Sequence, residues 1–152
     1  MTAVLDSVMA VMNASFDPHF REAWTRKQIV DSLALPSTFV LLVDAMGQRT
    51  DGSTEASGFV LARQAADEVE LLLIAVDPRW RGSGLGEMLL TEFARESAHR
   101  GATKAFLEVR ANNPARKLYE RAGFAIIGER PQYYRTAAGD YIDAITYGRS
   151  LS

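Results

Sequence analysis

Residues 74–86 read Ile-Ala-Val-Asp-Pro-Arg-Trp-Arg-Gly-Ser-Gly-Leu-Gly, and no other segment constrains the fold as tightly. An apolar run, Leu71 to Val76, ends at Asp77-Pro78, where the proline removes a backbone donor and stops strand pairing. Arg81-Gly82-Ser83-Gly84-Leu85-Gly86 follows, and an amphipathic stretch begins at once. The order is strand, glycine-rich turn, helix. Glycines let successive backbone N–H groups close on a ligand with no Cβ in the way. The helix N-terminus behind them carries partial positive charge, so the turn suits a phosphate or pyrophosphate.

Spacing separates this turn from its rivals. A dinucleotide fingerprint needs G-x-G-x-x-G straight after its strand, and a P-loop ends in Gly-Lys-Ser/Thr. Here the glycines fall at Gly82, Gly84 and Gly86, and Glu87 comes next. Neither pattern applies. The pattern R-x-x-G-x-G over Arg81–Gly86, behind a strand ending in Val76-Asp77-Pro78, resembles the acetyl-coenzyme A pyrophosphate loop of the GNAT family of N-acetyltransferases.

At 152 residues the chain has the length of one domain, 1–152, with enough residues to bury a core. The uncharged stretch Leu33–Val43 is too short to cross a bilayer and contains Pro36. Met1–Ala14 holds Asp6 and no Lys or Arg, unlike the start of a signal peptide, which points to a cytoplasmic protein. Without cysteine there is no thiolate nucleophile and no Cys-type zinc site. The net charge of −2 conceals an asymmetry. Residues 1–76 carry five Lys/Arg against ten Asp/Glu, and residues 77–152 carry twelve against nine. The basic half holds the glycine turn, which suits an anionic ligand. No Lys/Arg tract or interleaved aromatic pattern speaks for nucleic acid.

The apolar spacing predicts a helix over Val4–Ala14 and a second one capped by Thr25 and ended by Pro36. Strands are expected at Phe39–Val43, Gly58–Arg63, Glu68–Val76 and Lys104–Arg110. Leu85, Met88, Leu89 and Phe93 give the buried face of the helix after the turn, which Gly101 closes. Pro114–Ala122 reads as a helix stopped by Gly123, and Phe124–Glu129 and Ile142–Tyr147 as a last strand pair around a loop. The fold class is α/β of the mixed α+β kind. Its central twisted sheet is mostly antiparallel, has one parallel pair, 68–76 with 104–110, and is flanked by helices. A ligand would enter where that pair diverges. The GNAT acyl-CoA N-acyltransferase fold has such a splayed pair, and the resemblance runs from about Phe16 to the C-terminus. The usual N-terminal strand is missing or very short.

Moving an acetyl group from a thioester to an amine requires an unprotonated amine, a stabilised carbonyl oxygen and a proton for the departing thiolate. A backbone N–H in the 74–76 segment can serve the oxygen. Alternation in Lys104–Arg110 puts Phe106, Glu108 and Arg110 on one face, making Glu108 a candidate base. The same pattern suits an exposed glutamate paired with Arg110. Glu70, placed by alternation with Leu72 and Ile74, is a second candidate. Tyr119 is a candidate acid, although its spacing with Ala115, Leu118 and Ala122 is equally that of a core tyrosine. His19 and His99 stand alone, without metal spacing.

Leu107-Glu108-Val109-Arg110, then Asn112-x-x-Ala115-x-x-Leu118-Tyr119-Glu120-x-x-Gly123-Phe124, resembles the RimI-type branch of the GNAT enzymes, which acetylate protein N-termini. So does Arg130-x-x-Tyr133-Tyr134, followed by Gly139-Asp140 and Asp143-Ala144-Ile145. The resemblance implies Glu108 as general base, Tyr119 as proton donor and Asn112 as a cofactor contact. It also implies acetyl-CoA binding by Ile74, Ala75, Val76 and the turn Arg81, Gly82, Ser83, Gly84, Leu85 and Gly86. The connection from Glu108 to Asn112 is one residue shorter than usual, so Asn113 competes for the role of Asn112. Leu73 stands where Thr or Asn is common. Trp24-Thr25 resembles the Trp-Ser element lining the acceptor cleft, though Trp24 also suits an anchor between the first two helices. Tyr133 and Tyr134 fall in the loop that covers acceptors. Arg110 and Arg130 suit either an acceptor backbone or carboxylate, or surface pairing. The expected activity is direct acetyl transfer to a protein N-terminal α-amine, with a ribosomal-protein N-terminal alanine as the implied acceptor. Acetylation of a small amine (polyamine, amino acid or aminoglycoside) and a non-catalytic coenzyme A sensor are the alternatives.

Overall fold

The computed structural model describes residues 2–16 and 22–151. His19 lies outside them. Helix α1 spans Thr2–Ser15 and buries Leu5, Val8, Val11 and Met12 along one stripe. Helix α2, Arg26–Leu33, starts at a capping box. The Thr25 hydroxyl accepts from the Gln28 N–H and the Gln28 side chain accepts from the Thr25 N–H, so two end donors are satisfied. Strands β1 (Thr38–Val43), β2 (Gly58–Ala65) and β3 (Glu68–Val76) form an antiparallel meander. A single 3-10 turn over Pro78–Trp80 and the glycine turn then lead into α3, Leu85–His99. Strand β4 is Lys104–Arg110, α4 is Arg116–Arg121, and β5 (Ala125–Arg135) and β6 (Tyr141–Ser150) complete a six-stranded sheet ordered β1-β2-β3-β4-β6-β5.

Both sheet faces are covered. Phe39, Leu41, Val60, Leu107 and Tyr147 pack under α3 and α4, together with Leu89 and Phe93 of α3. Leu42, Phe59, Leu61 and Leu73 pack under α1 and α2, with Val8, Met12 and Ile29. Phe93 is fully buried, and its truncation to alanine would cost about 3–5 kcal/mol. Within α3, Met88 is 45% exposed and Leu90 takes the expected buried place. Met88 lies instead across Gly47 of the β1–β2 loop.

Two irregularities position the site. The first is in β3. Leu61 pairs with Leu73 but Ala62 pairs with Leu71, so Leu72 is an extra residue, a β-bulge. Val69 and Leu71 accordingly face the α3 side, whereas Leu73 and Ala75 face the α1 side. Strict alternation, which grouped Glu70 with Ile74, fails at that point. The parallel pairing of β3 with β4 also ends there, at Leu71 with Leu107. The second irregularity is in β5. Arg130 pairs with Ala144 and Tyr134 with Ile142, so the residues between them bulge out. Gln132 takes a left-handed φ of 53°, and its N–H donates to the Asp143 carboxylate at 2.9 Å. Tyr133 and Tyr134, expected in a loop, therefore lie in a bulged edge strand. Pro131 is tolerated in such a strand because the bulge asks no ladder donor of it.

Candidate active site

Beyond Leu71 and Leu107 the two parallel strands diverge, and a cleft of about 940 Å³ opens between them. The Asp77 N–H donates to the Ser57 carbonyl on the β2 side. Backbone groups alternate sides along a strand, so Ala75 and Leu73 also face β2, while those of Ile74 and Val76 face the gap. The side chains of Ile74, Ala75 and Val76 line the same cleft.

The glycine turn forms one wall. Gly82 and Gly84 hold φ of 81° and 86°, which a side chain would strain, and a Cβ on either would meet nothing within 4 Å. Open space thus lies over both. Leu85 begins α3 directly after Gly84, so the first N–H groups of that helix point outward without intrahelical partners. This concavity suits a diphosphate. Gly86 has a different reason to be glycine: a Cβ there would come within 2.9 Å of Leu118 on α4. Arg81 lines the cleft, yet its guanidinium donates to the Ser15 carbonyl at 2.8 Å. Ser83 turns away, with hydroxyl and N–H both donated to the Trp80 carbonyl. Of the expected turn residues, Ser83 alone is not on the cleft wall.

Glu108 projects into the cleft from β4 with its side chain 20% exposed. Its Oε2 lies 3.0 Å from Arg130 Nε and accepts a long hydrogen bond, 3.4 Å, from the Thr146 hydroxyl. The partner is Arg130, not the neighbouring Arg110. Glu70 is outside the cleft and pairs with Arg63 at 3.0 Å, so the bulge at Leu72 sets the two carboxylates apart.

Tyr119 lines the same cleft from α4. Its ring packs against Phe124 and Tyr147, with centroids 6.3 and 6.2 Å away. It is therefore a core tyrosine and also a cleft residue. Burial raises its pKa well above the ordinary phenol value, with Glu22 and Tyr134 adding to the effect, so the hydroxyl stays protonated. Tyr134 also lines the cleft, and burial, with Glu108 and Glu22 beside it, pushes its pKa up to about 12. Tyr133 stays outside, half-exposed, edge-on to Tyr134.

Asn112 and Asn113 both reach the cleft wall, but their carbonyl oxygens are committed differently. Asn112 Oδ1 accepts from Arg110 at 2.9 Å, whereas Asn113 Oδ1 accepts from the Ala115 N–H ahead of α4. Arg110 is only 8% exposed and also binds Glu22 at 3.2 Å. Glu22 lines the cleft and was missed in the sequence. The available signal was its place two residues ahead of Trp24. Trp24 lines the cleft and also packs on the α1–α2 core, its backbone N–H donating to Met12 Sδ. Among the described residues no cluster of His, Asp and Glu is placed to hold a metal ion. Also among them, no helix is long and apolar enough to cross a membrane.

Comparison with known proteins agrees with this geometry. The ribosomal protein bS18 alanine N-acetyltransferase of Salmonella typhimurium is 41% identical over 97 residues, 63% of this chain and 65% of that protein. The Haemophilus influenzae enzyme of the same name is 35% identical over 88 residues, 58% of this chain and 60% of that one. The matches thus span less than two thirds of these relatives. The crystal structure of the Escherichia coli ribosomal-protein-S18-alanine N-acetyltransferase superposes with a TM-score of 0.83 at 28% identity, covering 100% of this chain and 90% of that one. A model of the acetyltransferase (GNAT) family matches residues 6–124. With that match across most of the chain, the protein belongs to the GNAT acetyltransferase family.

Proposed function

We propose that this protein transfers the acetyl group of acetyl-CoA to the N-terminal α-amine of a protein, a ribosomal-protein N-terminal alanine being the acceptor its relatives' names suggest. The observation that carries the reading is the meeting of Glu108, Tyr119 and the glycine turn on one cleft, from three separate segments of the chain. Gly82, Gly84 and the first turn of α3 would hold the diphosphate of the donor. The inward N–H groups of Ile74 and Val76 are placed to steady a carbonyl oxygen as charge develops on it. Glu108 takes the proton of the acceptor ammonium through a water, and Tyr119, kept protonated by burial, gives its proton to the departing sulfur. An α-amine, with a pKa near 7.7–8.0, needs far less help than a lysine near 10.4.

The acceptor half supports a peptide over a small polycation. Glu22 and Glu108 both line it, but each is paired with an arginine, Arg110 and Arg130, so neither offers an unbalanced carboxylate to a polyamine. The test is thiol release from acetyl-CoA with N-terminal alanine peptides, the same peptides N-terminally blocked, polyamines and aminoglycosides. Turnover confined to free N-termini is the expected result. Turnover on the small amines alone would replace this reading, as would tight acetyl-CoA binding with no turnover at all.

A further inference from the structure

A carboxylate has two oxygens, and the surroundings of Glu108 treat them differently. Oε2 is held twice, by Arg130 Nε at 3.0 Å and by the Thr146 hydroxyl at 3.4 Å. Oε1 has no partner among the described residues, on a side chain that lines the cleft. Arg130 itself is not part of the cleft wall. It reaches Glu108 from the edge strand β5.

The edge strand is shaped for this contact. Glu108 pairs with Thr146 across β4 and β6, and Thr146 pairs with Gly128 on β5. Arg130 lies two residues further along, on the same face, so its side chain crosses back diagonally to Oε2. With no side chain at Gly128, nothing of β5 stands in that path. The guanidinium also lies over the Tyr133 ring, 5.1 Å away, and Tyr133 meets Tyr134 edge-on at 5.3 Å. The bulge pinned by Gln132 thus delivers Arg130 to Glu108 and Tyr134 to the cleft.

We infer that Arg130 is a positioning residue: by holding Oε2, with Thr146, it presents Oε1 of Glu108 to the incoming amine. The inference rests on Glu108 being the base. The Arg130 side chain is 61% exposed, and a pair of that exposure contributes little to folding, so its loss leaves a folded protein.

The test uses the full chain with Arg130→Gln, Arg130→Lys, Thr146→Val and Glu108→Gln, measuring kcat and KM on an N-terminal alanine peptide, Kd for acetyl-CoA, and Tm. Arg130→Gln should lower kcat roughly 10- to 100-fold, with Kd and Tm unchanged, because a displaced base loses its alignment. Arg130→Lys should recover part of the loss, and Thr146→Val should lower kcat by a smaller factor. Wild-type kcat in Arg130→Gln beside a strongly impaired Glu108→Gln would overturn the inference and leave the base assignment standing. A loss in Arg130→Gln confined to peptide KM would also overturn it, making Arg130 an acceptor contact. Full activity in Glu108→Gln would overturn the base assignment and this inference with it.

Discussion

The guanidinium of Arg81 donates to the carbonyl of Ser15 at 2.8 Å, across 66 positions of sequence. One end of that contact is the glycine turn, proposed above to hold the donor's diphosphate. The other is the last residue of α1, and Glu22 and Trp24, further along the chain, line the same cleft. A single arginine therefore joins the two halves of the cleft.

Arg81→Ala should weaken both substrates, unlike the loss of an ordinary phosphate contact. A hydrogen bond from a charged group contributes about 1.5–3 kcal/mol, so roughly tenfold or more is expected in acetyl-CoA affinity. Peptide KM should rise as well. Calorimetry with acetyl-CoA and steady-state kinetics in the peptide would check both, and an unchanged peptide KM would show that the link to Ser15 carries nothing.

Glu108→Gln should lower kcat roughly 10²-fold or more while acetyl-CoA still binds. The glutamine keeps an oxygen for Thr146 and the same volume, so folding is not at stake. Normal kcat in this variant would remove Glu108 from the mechanism.

Tyr119→Phe separates the two uses of this side chain. Its ring supplies the packing on Phe124 and Tyr147, and phenylalanine retains it. Melting temperature should hold while kcat falls roughly 10²-fold. A lowered Tm with intact kcat would make Tyr119 a core residue only.

The same tyrosine gives a stability signature at high pH. Burial raises its folded pKa above the unfolded value near 10, so its contribution is complete below pH 10. Above that the unfolded chain releases a proton that the folded chain keeps, and stability falls by about 1.4 kcal/mol per pH unit for this group. Tyr134, raised to about 12, acts in the same direction between pH 10 and 12. Urea unfolding at pH 8 and pH 11 should show a smaller decline in Tyr119→Phe than in the wild type; equal declines would mean the hydroxyl is well solvated.

Thr25→Ala removes one half of the capping box and should cost about 1 kcal/mol. Trp24 is its immediate neighbour, so the effect should appear in peptide KM and leave acetyl-CoA affinity alone. Equilibrium unfolding and the two binding measurements would establish it.

Where the sequence spoke clearly, a local rule was strong. The bounds of β3 and β4 match the expected segments residue for residue, because apolar runs there end at Pro78 and at the polar Asn112-Asn113 pair. Thr25 was legible as a cap because a hydroxyl residue just ahead of a helical segment is a start signal, and the structure adds Gln28 as the other half of a capping box. The bulge at Leu72 left no trace, since Leu71, Leu72 and Leu73 are chemically identical and any of them can be the extra residue. That one slip is what made Glu70 resemble a cleft residue. The extent of β5 was hidden for another reason. An edge strand solvated on both sides shows no alternation, and Pro131 argues for a loop when only local preferences are weighed. The ion pairs Glu22–Arg110 and Glu108–Arg130 join residues brought together only by tertiary packing, so no spacing could announce them.

The divergence of β3 and β4 leaves a strand edge in the interior of a sheet. Exposed edges invite pairing with any extended chain, and folded proteins ordinarily cover or blunt them. Here the N–H groups of Ile74 and Val76 face a gap flanked by helices, sheltered from neighbouring molecules yet open to a slender, amide-bearing guest. The Val76 carbonyl is already taken, accepting from the Ser15 hydroxyl at 3.0 Å. A guest that bridges the gap would complete the seam between the two halves of the sheet. On the proposed reading, loading the donor substrate would also be a final step of folding, and each turnover would loosen and reclose the seam.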